Sequence, residues 1–148
     1  MIESILLTAT KVLTFEGQRG LTNASGFFFE RGNRLFVVTS RHVLMDATTG
    51  HFPDRIEIEL HTNPGNLADS TSFSIPLYRK GQGIWRQGTD TAGQIDVAVI
   101  ELDREALPQS TVYRAFTEDH LLQQPDRVEV GAMVLVVGFP LGFHDTLH

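Results

Sequence analysis

Residues 26–39 read Gly26-Phe27-Phe28-Phe29-Glu30-Arg31-Gly32-Asn33-Arg34-Leu35-Phe36-Val37-Val38-Thr39. Two runs rich in Phe and Val flank a polar tetrad whose Gly-Asn centre supplies the positive φ of a tight turn, so the stretch reads as a β-hairpin. The same texture continues on both sides. Val12 to Phe15 is expected as a first strand, followed by a turn over Gly17 to Gly20. Arg55-Ile56-Glu57-Ile58-Glu59-Leu60 alternates strictly, which sends the isoleucines and leucine to a core and the glutamates to water. Asn63-Pro64-Gly65-Asn66 turns the chain. Ser72 to Tyr78 is a further strand, and Pro76 inside it predicts an edge position or a bulge. Ile95 to Leu102 reads as a strand buried on both faces, and Ala132 to Gly138 as another apolar strand. Helical periodicity is hard to find, and the expected fold class is all-β.

With 148 residues, 41% of them hydrophobic and 20% charged, the chain is long and apolar enough for one domain, or for a small domain plus part of another. The net charge is −6 and the acids are spread singly, which argues against a phosphate-binding surface, so nucleic acid is not an expected partner. Zero cysteines exclude disulfides, thiolate metal sites and a cysteine nucleophile within these residues. Met1 to Leu7 carries Glu3 where a signal peptide places Lys or Arg, and no window approaches the roughly 18 apolar residues of a membrane helix. The expectation is a soluble, cytoplasmic protein with no membrane partner. From Asp103 the texture becomes polar through Arg127, which reads as a linker over the surface.

Two short motifs carry chemistry. Thr39-Ser40-Arg41-His42-Val43-Leu44 closes one apolar run and Gln94-Ile95-Asp96-Val97-Ala98-Val99-Ile100 opens another. His42 falls just past its strand, where a short helical turn can hold the ring at a fixed angle. Asp96 falls at the rim of a core strand, where a buried carboxylate requires a donor and an imidazole N–H is a suitable one. Asp90, in the glycine-flanked loop from Gly88 to Gly93, competes for that role from a less rigid position. The serines at 4, 25, 40, 70, 72, 74 and 110 lie in no Gly-x-Ser-x-Gly context, and Ser40 is too near His42 in sequence for productive attack. His51 and His61 are expected in turns. His144 and His148 are four apart, a spacing that chelates metal only on a helix, for which Asp145-Thr146-Leu147 carries little signal, so neither a metal nor a cofactor is expected. Phe27 to Phe29 is expected in the core and Trp85 over an end of the fold.

Taken in order, Ser25-Gly26-Phe27-Phe28-Phe29, Phe36-Val37-Val38-Thr39-Ser40-Arg41-His42, Ile95-Asp96-Val97-Ala98 and Val137-Gly138-Phe139-Pro140-Leu141-Gly142 resemble the trypsin-like serine proteases. The likeness is greatest to the cysteine-free bacterial sort related to the Deg/HtrA enzymes, and it runs from Val12 nearly to the end. It implies a chymotrypsin-like, six-stranded antiparallel β-barrel over residues 1–103, an interdomain linker over 104–130, and the first strand of a truncated second barrel over 131–148. It makes His42 the general base and acid and Asp96 its orienting acid in a Ser-His-Asp endopeptidase acting on peptide or protein substrates. The serine, oxyanion hole and specificity pocket would belong to the missing C-terminal barrel, so the chain alone is expected to be inactive. The alternative is a non-catalytic, protease-like module that binds peptides or proteins. The lone apolar strand Ala132 to Gly138 is a candidate surface for self-association.

Overall fold

The computed structural model describes residues 3–123 and 128–139. The strict alternation of residues 55–60 becomes β4 (Arg55–His61), with Ile56, Ile58 and Leu60 buried and the intervening side chains half-buried. β1 (Ala9–Glu16) buries Thr10, Val12 and Thr14 on one face. Threonine is tolerated there because each hydroxyl has an acceptor: Thr10 donates to the Glu59 carbonyl at 2.8 Å, and Thr14 meets the Thr22 hydroxyl at 2.7 Å.

β2 (Arg19–Arg31) and β3 (Arg34–Thr39) form the hairpin, with Gly32 at φ +58° in its two-residue turn. β2 extends well ahead of the expected Gly26 to Glu30. Its first half is polar and lacks apolar alternation, and it becomes a strand by pairing along β1. Gly26 lies where a Cβ would sit 3.0 Å from the Val38 carbonyl oxygen and 3.2 Å from Val12, so the close approach of the β3 backbone favours glycine.

β5 (Ser70–Pro76), β8 (Trp85–Asp90) and β9 (Gly93–Leu102) complete a seven-stranded antiparallel sheet in the order β5-β4-β1-β2-β3-β9-β8. β6 (Tyr78–Arg79) and β7 (Gln82–Gly83) form a separate small ribbon. The all-β class is therefore seen. Pro76 ends β5, which is an edge strand as a proline there requires. One core of Val12, Phe28, Val37, Leu44, Ile58 and Ile100 with their neighbours joins the strands.

Several expectations are corrected. β9 is not buried on both faces: Ala98, Ile100 and Leu102 face the core, while Ile95 and Val97 are exposed, because only one side of this strand meets the core. β8 replaces part of the expected loop at Gly88 to Gly93, and Asp90 ends it, paired with Gly93 in a hairpin. His61 lies in β4, not in a turn. Ala132 to Val137 is no strand, because no partner among the described residues pairs with it, and Met133 to Val136 stand exposed. Phe28 is core, whereas Phe27 is partly exposed and packs edge-on against Phe116. Trp85 packs on the core from β8. His144 and His148 lie outside the described residues.

After β9 the chain is tied to the sheet. The Val112 N–H donates to the His61 carbonyl at 2.8 Å, Arg114 to Leu7 at 3.0 Å and Phe116 to Phe28 at 2.9 Å. Among the described residues, no helix is long and apolar enough to cross a membrane.

Candidate active site

The strand register brings the two motifs together. β3 and β9 pair with Val38 opposite Val99 and Thr39 opposite Ala98, so the chain leaving β3 runs over the start of β9. Asp96 lies two residues before Ala98, in the stretch of β9 where the pairing with β8 shifts register between Gln94 and Ala98, so it sits beside the chain that leaves β3.

His42 rides on α1 (Arg41–Leu44), a single turn held by Val43 and Leu44, both buried. The end of that turn is fastened by a small loop. Asp46 and His51 exchange two backbone hydrogen bonds of 2.9 Å, and the His51 ring donates from Nε2 to the Val43 carbonyl at 2.9 Å. Sequence reasoning assigned His51 no role. It lies eight positions after Val43, in a loop without periodic signal.

Both Asp96 oxygens are spent on one residue. Oδ1 accepts the His42 backbone N–H at 3.0 Å, and Oδ2 lies 2.7 Å from His42 Nδ1. A carboxylate can only accept, so Nδ1 carries the proton, and a neutral ring then leaves the Nε2 lone pair free. Nε2 has no hydrogen-bond partner among the described residues. No hydrogen bond joins Asp90 to His42; Asp90 caps its own turn, accepting the Ala92 N–H at 2.8 Å.

The His42 backbone N–H, then the His42 ring, hold the Asp96 carboxyl below its ordinary range, with Arg41 adding a smaller attraction. Asp46 is also held low, first by the Thr49 hydroxyl. The pair is more open than the sequence suggests. The side chains of His42 and Asp96 are 57% and 55% exposed, so donors rather than burial stabilise the carboxylate.

A depressed carboxyl contributes stability that is present above the unfolded-state value of about 3.9 and is lost as pH falls through the lower folded value. We expect the His42 amide resonance to move as Asp96 is protonated, with a midpoint below the ordinary aspartate value. A midpoint at or above the ordinary aspartate value would show the contact to be absent in solution.

His42 opens onto a groove of about 750 Å3 whose walls include Asn23, Ser25, Ser40, Asp46 and Phe139. β2 pairs with β3 only from Phe27 onward, so the β2 stretch along this groove has no strand partner on that edge among the described residues. Ser25 and Ser40 share the groove, but no hydrogen bond joins either hydroxyl to His42; Ser25 bonds instead to Phe139. Among the described residues, no group of three or more His, Asp or Glu side chains converges as a metal site.

The arrangement can take a proton at Nε2 and hold the resulting imidazolium against Asp96. No family model, curated protein or solved structure matches the chain.

Proposed function

We propose that the chain carries the base and the orienting acid of a trypsin-like serine endopeptidase. The observation that carries this reading is the doubly anchored pair, Asp96 Oδ1 on the His42 backbone and Oδ2 on Nδ1. A carboxylate in this position selects the tautomer whose Nε2 accepts a proton from a serine hydroxyl and returns it to the leaving amine. Asp96 stays ionised throughout and stabilises the imidazolium as it forms. In this reading the sheet is the first, chymotrypsin-like barrel over residues 1–103, and residues 104–130 and 131–148 lead into a second. In this reading a second barrel supplies the nucleophilic serine and the oxyanion donors, and the β2 edge that has no strand partner among the described residues gives an extended peptide substrate backbone to pair with.

A second reading is favoured by one observation, that neither groove serine bonds to His42. A non-catalytic module that binds peptides along the β2 edge would need no nucleophile.

The two readings separate with a fluorophosphonate probe, which labels only an activated serine. The polypeptide is isolated as its native cell makes it, together with any chain that accompanies it, in His42 and His42→Ala forms. Labelling of either chain that disappears in His42→Ala supports the peptidase. Labelling that is absent, or indifferent to His42, leaves the binding module.

A further inference from the structure

From Ala132 to Val136 the chain runs exposed, with Met133 and Val136 at 99% and 87% exposure, until it meets β2 at Ser25. There the Ser25 hydroxyl accepts the Phe139 backbone N–H at 2.6 Å and reaches back to the Phe139 carbonyl at 3.4 Å. The preceding residue is packed tightly on the same serine: a Cβ on Gly138 would lie 3.0 Å from Ser25 Oγ and 3.4 Å from Ser25 Cβ, so any larger residue must push the Ser25 hydroxyl aside. The anchoring post is itself fixed, since the Ser25 carbonyl accepts the buried Thr39 hydroxyl at 2.9 Å. Among the described residues, no other hydrogen bond ties 131–139 to the sheet.

We propose that residues 131–139 form a strap latched by Ser25, and that the latched strap builds the Phe139 wall of the His42 groove. Among the described residues the strap has one fastening point, at the mouth of the groove, so its release there removes a wall beside His42 without disturbing the sheet. Ser25 is therefore a positioning residue in this account, and the inference stands whether the site is catalytic or only binds peptide.

The absence of cysteine makes the test clean, because Val136→Cys provides a unique attachment for a spin label on the exposed strap. In the latched protein the label should broaden the amides of Asn23, Ser40 and His42. Ser25→Ala removes both hydrogen bonds and should raise the open fraction about tenfold, with a matching loss of broadening. Gly138→Ala lies outside the sheet and should have the same effect with the fold intact, so it decides the matter even if Ser25→Ala weakens β2. Carbethoxylation of His42, measured against His120 on the same molecule, should accelerate in both variants. Broadening unchanged in both variants, or already missing in the parent, overturns the latch. Released broadening with unchanged His42 reactivity overturns the wall.

Discussion

Asp96→Asn is expected to lower His42-dependent labelling about 10⁴-fold, the scale on which Ser-His-Asp enzymes lose rate when the orienting carboxylate becomes an amide. The double anchor explains why so small a change acts so strongly. The His42 backbone N–H can only donate, so it claims the single amide oxygen of the asparagine. The amide NH2 is then turned to Nδ1, where it must donate, which moves the ring proton to Nε2. A ring protonated at Nε2 cannot accept the proton of a hydroxyl. Nitrogen-detected NMR of the imidazole checks the cause directly, with Nδ1–H expected in the parent and Nε2–H in Asp96→Asn. A ring that keeps Nδ1–H in the variant would sink the explanation even if labelling fell.

Leu44→Ala is expected to destabilise the domain by about 2–5 kcal/mol, because it deletes a fully buried side chain and leaves a cavity. That is a large share of the roughly 5–15 kcal/mol that keeps a domain folded. The same residue seats α1 on the core, so the loss should be felt at the site as well. Urea titration should show an earlier midpoint than the parent, while Leu121→Ala, at an exposed position, should leave it nearly unchanged. In Leu44→Ala the His42 amide should also exchange faster before global unfolding begins. Equal midpoints for the two variants would mean that α1 is not held by Leu44.

How much of the molecule is legible in the chain depends on whether a segment's own residues pay any energetic attention to a core. Ile56, Ile58 and Leu60 alternate with charged residues, and Gly32 marks its turn, so β4 and the β2–β3 hairpin are apparent before any contact is known. Apart from Trp85, Leu21 and Ala24, β8 and the first half of β2 carry exposed, mostly polar residues and no apolar alternation. Their extended form comes from backbone pairing with β9 and β1, and backbone pairing leaves no mark on side-chain type. Residues 132–137 show the converse. Their apolar run satisfies the local pattern of a strand, yet a strand exists only where a second chain segment accepts its hydrogen bonds.

The site divides along the same line. Sequence alone named the candidate pair: a histidine just past one strand and an aspartate opening another, in a chain without cysteine. Tertiary structure alone decided that both Asp96 oxygens bind one residue, and that Ser25, Asp46 and Phe139 share the groove. The reason is register. His42 and Asp96 are 54 positions apart, and their meeting is fixed by Thr39 lying opposite Ala98 in the β3–β9 ladder. Residue type states what a side chain can donate or accept, but only the paired backbone states what it can reach.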